Sequence, residues 1–213
     1  DGTILGRKFI NFPSDKDRMY RVLGRIRRFQ REHGSRQVQG RWAYAKRLNT
    51  ELGKKIAREI VFYASENRAD VIVFEYLEMK GKLSGKKKQK LQMWRKRDIQ
   101  KRCGQQAHRK GIRISRICAW NTSRLAFDGS GKVDRDIQDH RLCTFQNGKR
   151  YNCDLSASYN IGARYFIREI LKPLPATERS LLEAKVPAVK RRTSCVYADL
   201  RDLISEMELR KAA

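Results

Sequence analysis

The feature that most constrains the fold is a short apolar segment, Val71–Phe74, which lies between two segments with helical periodicity. Before it, apolar side chains repeat at helical spacing from Leu48 to Ala64, and residues 91–110 show a similar repeat after it. A strand that is apolar on both faces is typical of a sheet that is covered on both sides. Because strands alternate with helices along the chain, we predict an α/β fold.

The other elements are predicted from the same periodicities. Residues 121–149 show no periodicity and are rich in Gly, Asp, Arg and Asn, so we interpret them as an insert. The predicted elements are, in chain order, a strand over 4–12, a helix from Ser14 to about Glu32, a helix that includes Leu48 to Ala64, the strand at 71–74, a helix over 91–110, a strand over 112–119, a helix over 155–171 and a last helix that carries Leu200 to Met207.

The charge balance predicts a polyanionic partner. Lys and Arg number 49 and Asp and Glu 23, which gives a net charge of +26. A hydrophobic fraction of 40% excludes a disordered basic tail, so the charge belongs to a folded chain. Nucleic acid is the leading candidate, ahead of a membrane surface or an acidic protein. The apolar runs are too short to span a membrane, so we expect no membrane partner.

The cysteines and the first residues add two expectations. The five cysteines are odd in number and widely spaced, and they contain no C-x-x-C pair, which favours a reducing cytoplasm over a disulfide framework. Residues 1–15 contain no apolar stretch of the length that a secretory leader needs. The chain opens on a turn, Asp1–Thr3, that leads directly into a predicted strand, and we interpret it as a piece of a longer protein.

Two carboxylates occupy positions where an acid needs a partner. Glu75 follows the predicted strand directly, and Asp154 directly precedes the predicted helix over 155–171. In a structural interpretation, Glu75 pairs with a Lys or Arg side chain and Asp154 is the N-cap of the helix. In a functional interpretation, both converge on Mg²⁺, which prefers oxygen ligands and, as a pair of ions, stabilises the attacking and leaving oxygens of a phosphodiester displacement.

Two motifs resemble a known family. The runs Val71–Leu77 and Tyr151–Gly162 resemble the second and third RuvC motifs of transposon-encoded TnpB-type nucleases and of the related type V CRISPR effectors. Asn121–Ser123 resembles the Thr-Ser that precedes the zinc-binding insert of that family, and the resemblance covers most of residues 1–172. In the third motif Ser156 replaces an Asn of the family, whereas the matching residues are Asp154, Ala157, Asn160 and Ile161.

The resemblance implies an RNase H-like (RuvC) fold, a mixed sheet flanked by helices, whose first strand lies upstream of residue 1. It implies an RNA-guided DNA endonuclease in which Glu75 and Asp154 are the second and third catalytic acids and bind Mg²⁺ or Mn²⁺. The first acid is expected upstream of Asp1. The implied partners are a guide RNA, the target DNA and the remaining upstream part of the same protein. The implied location is the cytoplasm of a prokaryote, in association with the nucleoid.

The resemblance also implies a division of the chain. Residues 1–122 would form the first part of the RuvC-like core, and residues 151–172 its closing helix. Residues 123–150 would form an insert of the type that binds target nucleic acid, and residues 173–213 a C-terminal helical tail. The insert is a degenerate zinc finger, because both C-x-x-C pairs of the family are lost. We expect no zinc there, since a tetrahedral site needs four ligands and the local candidates are only His140, Cys143 and Cys153.

Nucleic-acid contacts are expected from basic residues and from the motif after the second strand. The basic residues follow Glu75 on a loop that acts as a lid in the resembled family, and they continue onto the next helix, where a solvated face is the alternative. The expected contact residues are Lys86, Lys87, Lys88, Lys90, Arg95, Arg97, Thr122, Ser123 and Arg124.

Two alternatives to the nuclease stay open. One is an RNA-guided DNA-binding protein that no longer cuts, acting as a repressor or targeting factor. The degenerate insert and Ser156 favour it, whereas the presence of Glu75 and Asp154 favours the nuclease. The other is an RNA-binding or RNA-processing domain on an RNase H-like scaffold.

Overall fold

The computed structural model of the chain describes residues 2–34, 38–76, 96–191 and 193–212. These ranges form six α-helices and five β-strands, so the protein combines α and β structure, as predicted. No helix in the described ranges is both long and apolar enough to cross a membrane. The elements are α1 (Pro13–His33), α2 (Gln39–Glu66), β1 (Val71–Tyr76), α3 (Lys96–His108), β2 (Arg113–Cys118), β3 (Asp134–Arg135), β4 (Leu142–Thr144), β5 (Arg150–Asn152), α4 (Cys153–Leu171), α5 (Ala176–Lys185), a 3₁₀ helix (Pro187–Arg191) and α6 (Tyr197–Ala212).

The chain divides into two compact units. The helical unit comprises Gly6–Ile72 and Met79–Ile114, and the mixed unit comprises Asp1–Leu5, Val73–Glu78 and Ser115–Ala213. β1 pairs with β2 in a two-stranded sheet, and the boundary between the units falls within these two strands.

The helical unit is built around α2, which packs against both α1 and α3. Met19 and Ile26 of α1 are buried with Val38 and Ala45, and this cluster is the apolar core of the α1–α2 pair. Complete burial of a side chain such as Ile26 contributes about 1.5–3 kcal/mol to stability. In α1 the stripe of apolar residues that predicted the helix is therefore the stripe that packs into the core. In α2 the predicted residues Leu48, Leu52, Ile56 and Ile60 are half-buried, and the fully buried stripe lies one position further along the chain. Its members are Asn49, Gly53, Ala57 and Val61, together with Ala45 and Ala64.

The core of the mixed unit joins α4 to the C-terminal segment. Ala163, Ile167 and Leu171 of α4 pack against buried residues of α5, the 3₁₀ helix and α6, among them Leu182 and Leu203. Helix α5, which was not predicted, begins directly after Pro175. Residues 173–212 thus complete a hydrophobic core with α4.

The segment interpreted as an insert contains a small antiparallel sheet in the order β3–β4–β5. In this sheet Cys143 of β4 lies opposite Tyr151 of β5. Cys143 and Cys153 are buried with Ala126 and Phe145 in a separate apolar cluster. Strands of two or three residues are too short to show a hydrophobic period, which is why the sequence did not predict this sheet.

Most predicted elements are confirmed, and one is wrong. The strand predicted over residues 4–12 is absent, because residues 2–12 form neither helix nor strand. Leu5 and Phe9 are 88% and 66% exposed, and no described strand pairs with this segment. Strand-forming residues need a hydrogen-bonding partner strand, which their own sequence cannot supply. The confirmed elements are the helices α1, α2, α3, α4 and α6 and the strands β1 and β2, with residues 91–95 outside the described ranges.

Candidate active site

Glu75 lies near the end of β1 and is half-buried. The hydroxyl of Thr122 donates to Oε1 of Glu75 at 2.9 Å and also lies 3.1 Å from the carbonyl oxygen of Ala119. A threonine hydroxyl has one hydrogen, so these two acceptors share it. Thr122 is 1% exposed, and its side chain therefore serves to hold the Glu75 carboxylate.

The turn after β2 positions the Thr122 hydroxyl. Asn121 has a φ of +57°, in the left-handed region that Asn tolerates better than most residues. The N–H groups of Arg124 and Leu125 donate to the carbonyl oxygen of Asn121 at 3.0 and 3.2 Å. These bonds close the turn and direct Thr122 towards Glu75.

Asn160 ties this turn to α4. It is completely buried, and its Nδ2 donates to the carbonyl oxygens of Thr122 at 3.0 Å and Leu125 at 2.9 Å. Its Oδ1 accepts from the N–H of Tyr197, at the start of α6, at 3.1 Å. Asn160 was identified from the motif alone, and in the structure it acts as a structural centre that joins the turn, α4 and α6.

Arg164 lies one turn further along α4 and is 3% exposed. Its Nη1 donates to the carbonyl oxygens of Cys118 and Trp120 at 2.9 and 2.6 Å, and its Nε donates to that of Cys195 at 2.9 Å. Burial lowers the pKa of Arg164, and nearby acidic groups that include Glu75 oppose this shift. Its Nη2 is buried without a hydrogen-bond partner among the described residues. A buried cation thus neighbours the Glu75 carboxylate.

Asp154 is exposed in the first turn of α4, and the structural alternative in which it is the N-cap is wrong. The N-cap is Asn152, whose side chain accepts from the N–H of Leu155 at 2.9 Å. The helix begins earlier than predicted because β5 leads directly into it and leaves Asn152 in an extended conformation that suits a cap. No hydrogen bond or ion pair joins the Asp154 carboxylate to a described residue, and the helix dipole stabilises its charge.

Both candidate acids belong to the mixed unit, and both are attached to α4. Asp154 is part of that helix, whereas Glu75 is connected to it through Thr122 and Asn160. Along the helix axis, positions 154 and 160 are about 9 Å apart. No group of three or more His, Cys, Asp or Glu residues gathers in the described part of the chain. Mg²⁺ commonly binds through one or two carboxylates and keeps several waters, so two acids suit its chemistry.

The expected nucleic-acid contacts have different environments. Arg97 is exposed on α3 of the helical unit. Ser123 is half-buried, and its carbonyl oxygen accepts from Arg135 Nη2 at 3.2 Å. Arg124 is exposed and follows Thr122 by two positions in the sequence. Thr122 is buried, as described above. The predicted contact residues that lie outside the described ranges are Lys86, Lys87, Lys88, Lys90 and Arg95.

Two residues of the site were not singled out as functional from the sequence. Arg164 follows Asn160 by one helical turn, so the two side chains lie on the same face of α4. A charged residue on the face that the helix buries is the sequence signal that could have identified Arg164. Ser156, which stands where the resembled family has Asn, is 2% exposed, and its hydroxyl has no partner among the described residues. The sequence showed the substitution but not its burial.

The cysteines of the insert behave as apolar side chains. Burial, and next a neighbouring Cys153 thiol, raise the pKa of Cys143 to about 12. A thiol must lose its proton to bind zinc, and this environment favours the protonated form. The third candidate ligand, His140, is exposed, with its Nδ1 3.2 Å from the carbonyl oxygen of Asp136.

Comparisons with known proteins do not add to this geometry. No protein-family model matches the chain, and no curated protein matches it. The function is therefore argued from the side chains that the fold brings together around Glu75 and the first turn of α4.

Proposed function

We propose that this chain is the RuvC-like nuclease part of an RNA-guided DNA endonuclease, with an RNase H-like fold. The observation that carries the proposal is the anchoring of Glu75. A chain of hydrogen bonds, through the buried residues Thr122 and Asn160, connects this strand-end carboxylate to the helix whose first turn exposes Asp154. A strand-end acid and a helix-start acid on one framework are the arrangement that the resemblance implies.

Glu75 and Asp154 are the proposed ligands of Mg²⁺ or Mn²⁺, together with the first acid that the resemblance implies. When bound, the metal would supply an activated water and would stabilise charge on the phosphate oxygens. Thr122 orients the Glu75 carboxylate, and Asn160 fixes the turn that carries Thr122. Arg164 is a buried cation whose pKa is lowered by burial, and the nearby charge of Glu75 acts against this lowering.

Guide RNA and target DNA are the proposed partners. A net charge of +26 on 213 residues suits contacts with many phosphates, which are independent of sequence. In an RNA-guided enzyme, base pairing with the guide supplies sequence specificity, so the protein needs to recognise mainly backbone and duplex shape.

One observation favours a second candidate, the RNA-guided DNA-binding protein that no longer cuts. Glu75 already receives a hydrogen bond from Thr122 and lies near the buried cation Arg164. A half-buried carboxylate with these neighbours is stabilised without a metal ion. The two candidates therefore differ in whether the site binds a divalent cation.

Binding of Mn²⁺ to the purified chain, followed by electron paramagnetic resonance, separates them. We expect Glu75→Gln and Asp154→Asn each to weaken binding by at least about tenfold. The matched controls are Glu169→Gln, which removes a carboxylate paired with Arg168 on α4, and Asp202→Asn, which removes an exposed carboxylate of α6. Binding that none of the four substitutions changes would contradict a metal site at Glu75 and Asp154.

Cleavage is tested in the full-length protein with its guide. Glu75→Gln and Asp154→Asn should each abolish DNA cleavage and leave DNA binding intact, because neither side chain is needed to hold the nucleic-acid backbone. Cleavage that persists in either variant would remove that residue from the mechanism, and an unsubstituted protein that binds but never cuts would favour the second candidate.

A further inference from the structure

A cleft of about 280 Å³ opens between α1 and α2 within the helical unit. This volume is close to the lower end of the range for small-ligand sites, about 300 Å³. Its buried wall is apolar, and its outer residues are exposed. The lining residues are Val22, Arg25 and Ile26 from α1 and Gly40, Arg41 and Tyr44 from α2.

Within the described ranges, no acid neutralises the two cations that line this cleft. Neither Arg25 nor Arg41 forms an ion pair with a described residue. The guanidinium of Arg41 lies over the ring of Phe29, with its carbon 4.1 Å from the ring centroid, which orders the side chain and leaves its charge unneutralised. Both cations therefore remain available for an anionic ligand.

Tyr44 adds an ordered aromatic ring to the cleft. The guanidinium of Arg18 donates to the Tyr44 hydroxyl at 2.7 Å and lies 5.9 Å from its ring centroid. Val22 and Ile26 supply the apolar wall. A Cβ built at Gly40 would meet no atom within 4 Å, so the cleft is open at that position.

We propose that this cleft binds one nucleotide of a single-stranded nucleic acid. A base is flat and apolar on its faces, so it suits the Tyr44 ring and the apolar wall, whereas its phosphates suit Arg25 and Arg41. An unmodified peptide lacks the phosphates that the guanidinium groups of Arg25 and Arg41 would recognise. The inference rests on the proposed function only in that nucleic acid is the partner, and it does not involve Glu75 or Asp154.

The glycines of the two helices offer a matched pair of variants. Gly40→Leu adds a side chain inside the cleft, and Gly24→Leu adds the same side chain on α1 at a position that does not line it. Neither addition meets an atom within 4 Å of the new Cβ, and both replace a helical glycine with a better helix former, so both variants should fold. Neither changes the charge.

The test is the anisotropy of a fluorescein-labelled oligouridine titrated with the full chain. We expect Gly40→Leu and Tyr44→Leu each to weaken binding by about 5- to 100-fold, the range expected for loss of one stacked base. Tyr44→Phe keeps the ring and should bind nearly as the unsubstituted chain does. Gly24→Leu should leave the affinity unchanged. Equal affinities for Gly40→Leu and Gly24→Leu would overturn the proposal.

The salt dependence of the same titration tests the interaction with phosphate. Joint substitution of Arg25→Gln and Arg41→Gln should lower the slope of log K against log salt by about 0.7 for each phosphate that the variant no longer neutralises. The control is Arg27→Gln with Lys46→Gln, because each residue is two positions from a cleft residue and faces the other side of its helix. Equal slopes for the two pairs would assign binding to general surface charge and would overturn the cleft.

The outcomes also separate this inference from the proposed function. If the unsubstituted chain does not bind oligouridine, the cleft proposal fails, and the nuclease proposal is judged by the Mn²⁺-binding and cleavage tests alone. If it binds, and the cleft variants bind as tightly as their controls, only the cleft fails and the nuclease proposal is unaffected. Inorganic polyphosphate is a further competitor. If it displaces the labelled oligouridine as effectively as unlabelled RNA does, the chain recognises phosphate alone, and this result also contradicts a bound base.

Discussion

The Thr122 hydroxyl, in the turn after β2, donates to Oε1 of Glu75, near the end of β1, at 2.9 Å. The donor is 1% exposed, whereas the Glu75 carboxylate that accepts the bond is half-buried. The carboxylate is therefore held in one place by the protein before any ligand arrives, which is the arrangement expected of a residue that has to meet a ligand in a fixed geometry.

Removal of the Thr122 hydroxyl should weaken this anchoring. We expect Thr122→Val to lower the free energy of unfolding by about 1–3 kcal/mol, because the charged acceptor loses a buried donor. Thr122→Ser keeps the hydroxyl and should lose less. The measurement is urea denaturation. The control is Thr50→Val, which removes a hydroxyl that donates to the Lys46 carbonyl within α2. It should change the free energy of unfolding by less than about 0.5 kcal/mol. An equal loss in Thr122→Val and Thr50→Val would contradict the special role of Thr122.

Asn160 and Asn152 allow the same substitution at two positions of α4. Asn160→Ala leaves the carbonyl oxygens of two residues and the N–H of Tyr197 unpaired, and we expect a loss of about 3 kcal/mol or more. Asn152→Ala removes only the N-cap and should cost about 1 kcal/mol. Thermal and urea unfolding of both variants measure the difference. A larger loss for Asn152→Ala would show that the buried network contributes less than its geometry predicts.

The role of the Arg164 guanidinium can be tested by making the same Arg→Lys substitution at position 164 and at position 168. The buried Arg164 donates to three carbonyl oxygens, two through Nη1 and one through Nε, which a lysine ammonium cannot reproduce, so Arg164→Lys should destabilise the chain by about 3 kcal/mol. Arg168 is one turn further along the same helix and more exposed, and Arg168→Lys should cost less than about 1 kcal/mol. Similar unfolding midpoints for the two variants would contradict this role.

The reactivity of the thiols reports the burial of the cysteines. Of the five, Cys118 is exposed, whereas Cys103, Cys143, Cys153 and Cys195 are buried. Burial raises the pKa of Cys103 to about 11, and the thiolate is the reactive form. We expect one cysteine to react rapidly with a disulfide reagent in the native protein and all five to react after unfolding. Cys118→Ser should abolish the rapid phase, and a rapid phase that survives this substitution would contradict the packing.

A carboxylate in the insert has a clear pH signature. Side-chain and backbone hydrogen bonds from Arg141 lower the pKa of Asp139 from 3.8 to about 2. Because the pKa is lower in the folded state, the pair stabilises the protein above pH 3.8, and this contribution is lost as the pH falls towards 2. Carboxyl NMR titration measures the value directly.

Two substitutions show whether Arg141, and not another nearby arginine, lowers the pKa of Asp139. Arg141→Gln should raise the pKa of Asp139 towards its ordinary value, since it removes the side-chain donor. Arg150→Gln, whose native side chain pairs with Asp136 at 3.4 Å, is the control and should leave Asp139 unchanged. An unchanged pKa in Arg141→Gln would show that backbone donors alone hold the charge.

The helices α1, α2, α3, α4 and α6, the strands β1 and β2 and the basic character of the chain could all be predicted from the residues alone. These features are local or additive. A helix that packs on a core repeats its apolar residues every three to four positions, and net charge is a sum over residues. The stripe from Leu48 to Ala64 therefore predicted α2 without knowledge of its neighbours.

The way the site is built could not be predicted, because it depends on contacts that exist only in the folded chain. Residues 4–12 resemble a strand but have no partner strand among the described residues, and the C-terminal segment, which carried no recognisable motif, completes the core of α4. The hydrogen bonds that hold Glu75 join residues far apart in the chain, and only the fold decides which buried donor meets which acceptor. Hydrogen bonding depends on distance and direction in space, and neither is encoded in the spacing of residues along the sequence.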